Sequence, residues 1–267
     1  MSKKYTIRDI ARQAGVSVAT VSYVINHRDD QRISDETKKK VWQIVNLLDY
    51  RPNASAKSLA TSKTYNIALF LRREESLYKR SEQLAVADVL ASVLQSHGYH
   101  LLLQSEENIA RIDYADAILC YDTDTDFFNN VGDNNLIPLI AIDSLTPLQI
   151  FFQVCTDYAG LKAKADERFG SENYRYLCLT PNNADLRRLI QSTFSSVIFV
   201  PENDSGSAAQ AAAFSGNILY NQQSLASLAG PDGFCPAHRL REKMEQVFAC
   251  FELAANRVPD CEHNLFV

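Results

Sequence analysis

Long apolar runs are missing from this 267-residue sequence, so no stretch is long enough to span a membrane. The N-terminal MSKKYTIRD lacks the apolar core of a signal peptide, and the sequence therefore predicts a cytoplasmic protein. Paired cysteines are missing as well. The six cysteines are scattered, without a CxxC pair, and most lie in or beside apolar runs. We expect buried, reduced thiols rather than disulfides.

Motifs of catalysis are also absent. The sequence has no nucleophile motif, phosphate-cradling glycine loop or dinucleotide fingerprint. Its histidines lie apart from each other, and none pairs with a cysteine at the spacing of metal ligands. Asp122, Asp124 and Asp126 alternate in YDTDTDFF, but the central glycine and terminal glutamate of a calcium loop are missing. We interpret this segment as a solvated loop. The sequence thus predicts no enzyme, no cofactor and no metal site.

Positive charge is concentrated at one end of the chain. Residues 1–64 hold twelve Lys and Arg against six Asp and Glu, a net charge of +6. The remaining residues hold fifteen against twenty-six, a net charge of −11. A basic head on an acidic body suits a polyanion-binding module attached to a solvated regulatory domain, although a charge run alone is usually only a solvated face.

Residues 6–26, TIRDIARQAGVSVATVSYVIN, indicate two short helices separated by a tight turn. Thr6 is placed to cap the first helix, with Asp9 at the capping-box position. Gly15 ends that helix, because glycine adopts a left-handed backbone at little cost. Ser17 caps the second helix. Its buried face would be formed by apolar residues at helical spacing: Val18, Val21, Val24 and Ile25. This is the helix-turn-helix pattern, parts of which any capped helical hairpin would share.

A third helix is predicted from Ser34, whose cap is followed by two acids that suit the helix dipole. Residues 54–60, ASAKSLA, come after YRPN and have too little apolar surface to fold alone. Taken together, residues 1–64 resemble the LacI/GalR family of bacterial transcriptional repressors. The matching segments are TIRDIARQAGVSVATVSYVIN and ISDETKKKVWQIVNLLDYRPNASAKSLA.

The resemblance implies a repressor that binds a pseudo-palindromic double-stranded DNA operator as a homodimer. It implies a helix-turn-helix domain at residues 1–50, a hinge at 51–65 and an effector-binding and dimerisation domain at 66–267. The residues implied to contact base edges are Val18, Ala19 and Tyr23, of which the two apolar ones suit thymine methyl groups. Those implied to contact the DNA backbone are Thr6, Ser17, Thr20, Ser22 and Asn26. Those implied to act in the hinge at the minor groove are Asn53, Ala56 and Leu59, with Leu59 as the inserted wedge.

After residue 65 the pattern changes to an alternation of strands and helices. Continuous apolar runs predict strands buried on both faces, at 67–71, 99–103, 117–120, 136–142, 150–155, 176–179, 197–200, 217–220 and 265–267. Helices are predicted at 81–97, 158–169 and 239–256. The alternation favours doubly wound α/β layers. The resemblance implies an all-α helix-turn-helix head with a hinge helix, and an α/β body of two doubly wound subdomains around a cleft, like periplasmic binding proteins.

The body is shorter than the resemblance implies. Only about 200 residues follow the hinge, against the roughly 270 expected of two such subdomains. The region between residues 104 and 115 has no room for a helix before the strand at 117. Near the C-terminus, GPDGF at residues 230–234 is the only candidate for the pre-terminal strand.

Four body residues match cleft positions of the family, each with an alternative. Asp157 opens a helix beside the cleft, but it equally fits a plain N-cap. Arg187 or Arg188 lies near the position of the family's cleft arginine, but the expected glycine and aromatic do not follow, which favours a surface arginine. Gln222 and Gln223 would replace an Asn-Asp pair that binds sugar hydroxyls, and we prefer them to Asn203-Asp204 because the preceding strand fits better. The body is then a sensor of a small molecule such as a sugar or nucleoside, or a degenerate module that only dimerises or answers to a protein partner. An enzyme attached to a DNA-binding head is the third hypothesis.

Overall fold

The computed structural model describes residues 5–25, 32–50, 63–106, 109–171, 173–200, 216–236, 239–258 and 261–267. The chain divides into two compact units, Met1–Lys63 and Thr64–Val267, which we call the head and the body. In this described part of the chain, every helix is too short or too polar to cross a membrane.

The head contains three helices, α1 (Ile7–Ala14), α2 (Val18–Ile25) and α3 (Asp35–Leu47). Thr6 and Asp9 form the predicted capping box at the start of α1, and Gly15 ends that helix with φ of +66°. The helices share one small core, formed by Ile10, Ala11, Ala14, Val21, Val24, Val41 and Val45. The prediction of a helix-turn-helix head is confirmed.

The body contains nine strands and six α-helices among the described residues. They are β1 (Asn66–Leu71), α4 (Leu77–Ser96), β2 (His100–Ser105), β3 (Ala117–Tyr121), α5 (Thr125–Asn134), β4 (Leu139–Ile142), β5 (Phe152–Cys155), α6 (Tyr158–Phe169), β6 (Tyr174–Leu179), α7 (Ala184–Thr193), β7 (Val197–Val200), β8 (Asn217–Leu219), α8 (Ala226–Ala229), α9 (Leu240–Ala255) and β9 (Asn264–Phe266). A single 3₁₀ turn, Gln223–Leu225, precedes α8.

The strands form two parallel sheets, and each sheet is the centre of a lobe. The sheet of lobe one has six strands in the order β2-β1-β3-β4-β5-β9, and that of lobe two has three in the order β7-β6-β8. In β1, Ile67 and Leu69 pack with α4 and α9, whereas Ala68 and Phe70 pack with α5 on the other face. Burial on both faces is why these strands are continuously apolar. The prediction of doubly wound layers is confirmed.

Lobe two is inserted in the chain between the two parts of lobe one. The chain enters lobe two after β5 and returns through α9, and β9 then pairs with β5 through Val154 and Leu265. Lobe one therefore combines segments that lie far apart in the sequence.

Apart from the four-residue α8, two helices of the body, α5 and α7, are not among the helices predicted from the sequence. The interpretation of Asp122, Asp124 and Asp126 as a solvated loop is wrong. Asp124 is the N-cap of α5, accepting a hydrogen bond from the Phe127 amide at 2.8 Å, and Asp126 lies in the first turn. The short polar sequence TDFFNNVGDN has only a narrow apolar face, which hid the helix. The described residues between β2 and β3 hold no helix, as predicted.

Lobe two is short after β8. The GPDGF segment supplies only one bridge, between Leu219 and Phe234, before the chain returns to lobe one. Two backbone hydrogen bonds hold this bridge, from the Tyr220 amide to the Phe234 carbonyl (3.0 Å) and from the Phe234 amide to the Ile218 carbonyl (2.8 Å). Among the described residues, the sheet of lobe two is therefore smaller than that of lobe one.

Candidate functional site

The second helix of the head presents a mixed outer face. Val21 and Val24 are buried in the head core, with 0% and 4% of their surface exposed. Val18, in contrast, is 41% exposed, Ala19 is exposed, and Tyr23 is partly exposed. The apolar spacing predicts Val18 in the buried face, whereas the resemblance implies that it contacts base edges, and the structure places it on the exposed face. Together these three residues form an outer surface on α2 that a second macromolecule can reach.

Small hydroxyl side chains cap the first two helices of the head. Ser17 caps α2, since its Oγ accepts from the Thr20 amide at 3.0 Å and lies 2.9 Å from Thr20 Oγ1. Thr6 caps α1, and its hydroxyl donates to the Asp9 carboxylate at 2.8 Å. Ser22 is partly buried. These hydroxyls first stabilise the helix ends, and they thereby fix the orientation of the exposed face.

Some predicted site residues lie outside the described residues: Asn26, Asn53, Ala56, Leu59, Asn203 and Asp204. At the start of the body, however, the chain is firmly held. Asp116 accepts hydrogen bonds from the Thr64 amide (2.6 Å), the Thr64 hydroxyl (2.8 Å) and the Tyr65 amide (2.9 Å). Sequence reasoning missed this anchor because Asp116 is 51 residues distant from Tyr65 in the chain.

A cavity of about 140 Å³ lies in the body between the two lobes. Lobe one contributes the ends of β3, β4 and β5 together with α4 and α9, and lobe two contributes α6, α7 and the segments after β6 and β8. Three tyrosines with apolar rings and polar ends line it: Tyr121, Tyr158 and Tyr176. Burial raises the pKa of all three phenols well above their ordinary value, so each remains a neutral hydrogen-bonding group.

An ion pair forms part of the cavity wall in lobe one. The Lys243 ammonium on α9 lies 2.9 Å from each Asp143 oxygen and 2.8 Å from the Thr156 hydroxyl. Only 8% of Lys243 is exposed, so the Asp143 carboxylate offsets the cost of burying the ammonium. The pair joins α9 to the ends of β4 and β5. Sequence reasoning missed it because the two charges are 100 residues apart.

Two further polar contacts shape the cavity. Glu82 on α4 accepts a hydrogen bond from the Ser224 hydroxyl at 3.2 Å, and burial raises the pKa of this carboxyl. The Tyr176 hydroxyl donates to Asn221 Oδ1 at 2.7 Å, so the Asn221 side-chain nitrogen takes no part in this hydrogen bond. The cavity therefore mixes aromatic rings, hydroxyls, amides and compensated charges, as small-molecule sites do.

Two of the four predicted effector residues line this cavity. Asp157 lies on its wall, and it is also the N-cap of α6, accepting from the Gly160 amide at 2.9 Å. A Cβ at Gly160 would come within 2.9 Å of Asp157 Cγ, so glycine makes this cap possible. Gln222 also lines the cavity, with Oε1 accepting from the Leu179 amide at 2.8 Å.

The other two predicted effector residues lie away from the cavity. Arg187 is not a plain surface arginine: it is partly buried and donates to the Pro181 carbonyl at 2.7 Å. Gln223 is exposed at the start of the 3₁₀ turn. Because Gln222 and Gln223 are neighbours on a turning backbone, only one of them faces inward.

A buried thiol, that of Cys178, also lines the cavity. Burial raises the pKa of this thiol and keeps it protonated and weakly nucleophilic. The described histidines, cysteines and acids include no group of three or more that could hold a metal ion. The six cysteines are free thiols, four of them buried, as the sequence predicts.

Comparison with known proteins gives sequence matches over part of the chain and a likeness of fold over nearly all of it. Residues 6–53 match the model of a family described as bacterial regulatory proteins, lacI family. The chain is 32% identical over 170 residues to the HTH-type transcriptional repressor PurR of Edwardsiella ictaluri, covering 58% of this chain and 47% of that protein. It is 38% identical over 103 residues to catabolite control protein A of Staphylococcus aureus, covering 39% of this chain and 30% of that protein. The matches thus span about half the length of these relatives, or less.

A solved structure extends the likeness of fold to the whole chain. The lac repressor dimer bound to operator and the anti-inducer ONPF aligns with a TM-score of 0.63 over 99% of this chain and 96% of that chain. Sequence identity in this alignment is 15%, so the likeness concerns the fold alone.

Proposed function

We propose that this chain, whose residues 6–53 match the lacI family of bacterial regulatory proteins, is a sequence-specific transcriptional repressor. In this proposal two copies bind a pseudo-palindromic operator, each reading one half-site with α2 in the major groove. The single observation that carries the proposal is the outer face of α2. Val18, Ala19 and Tyr23 project from a helix whose other apolar residues hold the head together.

The choice of base contacts rests on the same face. Apolar Val18 and Ala19 suit thymine methyl groups and close approach, and the phenol of Tyr23 supplies one hydrogen-bonding group. Thr6, Ser17, Thr20, Ser22 and Asn26 are the proposed phosphate contacts, which fix the register of the helix on the duplex without reading sequence.

Binding-site selection from random duplexes tests this proposal. The wild-type protein is expected to select an inverted repeat. Exchange of Val18, Ala19 and Tyr23 is expected to change the preferred half-site, since each mismatched base pair costs about 1–3 kcal/mol of binding free energy. Exchange of three exposed α3 residues of the same head, Gln43, Asn46 and Leu47, is the matched control and should leave the consensus unchanged. An identical consensus for wild type and the α2 variant would refute the assignment.

For the body, we propose that the cavity between the lobes binds a small polar effector such as a sugar or a nucleoside. Neutral tyrosines, the Asn221 and Gln222 amides and compensated charges support a ligand with rings and hydroxyls. A thermal-shift screen of sugars, nucleosides and purines tests it, because a ligand at 100 times its dissociation constant stabilises the protein by about 2.7 kcal/mol. The expected result is a rise in melting temperature that a Gln222→Ala variant reduces and a Gln223→Ala control retains.

A second candidate is supported by the short sheet of lobe two. In its described residues this lobe has three strands and one added bridge, a small sheet that suits a body that only dimerises or answers to a protein partner. In that case no small molecule shifts the melting temperature, while sedimentation still finds a dimer on and off DNA. The screen and the sedimentation experiment together separate the two candidates.

A further inference from the structure

A buried ionic cluster lies at the boundary between the two lobes. Lys79 on α4 is only 3% exposed, and its ammonium lies 3.3 Å from Glu74 Oε1 and 3.6 Å from Asp122 Oδ2. All three residues belong to lobe one, where they follow β1 and β3 or begin α4. Two carboxylates around one ammonium leave acceptor sites that need further donors, because buried charges are costly when incompletely bonded.

Lobe two supplies the missing partner through Asn182, which follows β6. Its backbone amide donates to Asp122 Oδ1 at 2.8 Å. Its side-chain nitrogen lies 2.8 Å from Glu74 Oε1 and 3.0 Å from both Asp122 Oδ2 and the Asp122 carbonyl. Its side-chain oxygen accepts from the Lys79 ammonium at 3.0 Å. One asparagine thus completes the bonding of all three charged groups across the boundary.

Neighbouring contacts tie this boundary to the cavity. Asn183 donates to the Leu145 carbonyl at 2.9 Å and to the Thr123 carbonyl at 3.3 Å, both in lobe one. Its Oδ1 caps α7, and Leu186 and Ile190 of that helix line the cavity. Separation of the lobes would therefore break the Asn182 and Asn183 contacts and withdraw one cavity wall at the same time.

We propose that Asn182 is an internal latch that joins the two lobes beside the cavity. In a two-lobed binding body without such a latch, the ligand itself supplies the contacts that join the lobes. Here the chain supplies contacts of its own, so separation of the lobes, and with it exchange of a ligand, requires release of Asn182. The meaning of the latch for regulation rests on the proposed effector site, but its existence does not.

Amide hydrogen exchange on the full-length, ligand-free protein tests the latch without DNA or effector. The informative position is the backbone amide of residue 182, because its hydrogen bond to Asp122 crosses the lobe boundary. Two amides report on each lobe separately: Ile118, which donates to the Pro138 carbonyl at 2.8 Å, and Tyr176, which donates to the Ser196 carbonyl at 2.9 Å. Peptide fragmentation in the mass spectrometer resolves these positions.

In the wild-type protein the residue-182 amide is expected to be protected. Asn182→Ala is expected to raise its exchange rate at least tenfold, equal to about 1.4 kcal/mol, while the Ile118 and Tyr176 amides keep their wild-type rates. Asn217→Ala is the control, because its side chain donates to the Asn173 carbonyl at 2.9 Å within lobe two. This control should leave the residue-182 amide protected.

Three results would overturn the latch. The first is a wild-type residue-182 amide that exchanges at the rate of a free chain, a measurement that needs no variant. The second is an Asn182→Ala protein in which that amide stays as protected as in the wild type. The third is equal acceleration at all three positions, which indicates global destabilisation. Failure of the latch leaves the DNA-binding proposal untouched, since neither protein–DNA contacts nor an effector enters the experiment.

Discussion

The Lys243–Asp143 pair makes a quantitative prediction about the wall of the cavity. Replacing Lys243 with Met removes the ammonium but keeps most of the volume, and it leaves the Asp143 carboxylate with only the Thr156 amide, 3.2 Å away. Breaking a buried pair by removing one partner costs about 3–5 kcal/mol. Since 17% of the Asp143 side chain remains exposed, we expect the lower end, about 3 kcal/mol.

The double variant is expected to be less affected than Lys243→Met alone. Asp143→Asn removes the second charge, keeps an acceptor for the Thr156 amide, and suits the backbone φ of +47°, which asparagine tolerates. With no unpaired charge left, the two changes together should cost about 1–2 kcal/mol. The stabilities of wild type, both single variants and the double variant therefore form a cycle with strong coupling.

Urea denaturation of the four full-length proteins at pH 7, followed by far-ultraviolet circular dichroism, measures this cycle. The Lys162–Asp166 pair on α6 provides the control, because its partners are about 30% exposed and exposed pairs contribute little. A Lys162→Met variant should lose less than about 1 kcal/mol. The reasoning fails if the costs at Lys243 and Asp143 simply add, because additivity would mean that solvent already neutralises the pair.

Three other outcomes are expected. Burial raises the pKa of Asp122 from 3.8 to about 7, against the opposing effects of Lys79 and of the Asn182 amide that donates to it. Between about pH 5 and 6 the folded state then keeps a proton that the unfolded state releases, so wild-type stability should fall relative to Asp122→Asn by about 1.4 kcal/mol per pH unit, and less steeply near pH 7, where the Asp122 carboxylate forms; parallel stability curves would contradict this. Operator affinity of the whole protein should fall steeply with salt, whereas the acidic residues 66–267 alone should bind no DNA. A gel shift by the body alone would refute the assignment of DNA binding to the basic head. Leu59→Ala should weaken operator binding and reduce DNA bending in circular-permutation gel shifts without affecting dimerisation, and an unchanged bend would rule out the wedge.

Much of the architecture is predictable because local signals and burial agree. The caps at Thr6 and Ser17, the glycine at residue 15 and the apolar spacing of α2 together specify the head before any tertiary contact is known. The strands of the body are equally visible, since residues such as Ile67 and Phe70 are apolar on both faces. The two missed helices lack this agreement, because α5 and α7 are short and largely polar.

The cavity is much less predictable from the sequence. Asp157 and Gln222 match cleft positions of the family, and both line the cavity. Lys79, Lys243 and Asn182 match no motif, and each bonds to at least one partner about 60 to 110 residues away. Only the topology of the two lobes brings such distant polar groups together. Exposed and buried charges look alike in a sequence, so burial, which decides their effect, has to come from the structure.

The interrupted course of lobe one has a consequence for how the protein is made. At about 5–20 residues per second, a ribosome needs roughly 5–20 s to add the residues that separate β5 from β9. During that time the outer edge of β5, with Phe152 and Val154, has no strand beside it and can pair with other chains. Lobe two is continuous and can fold in this interval. A chain stopped before residue 264 would therefore keep an open apolar edge, and it would aggregate instead of forming a smaller body.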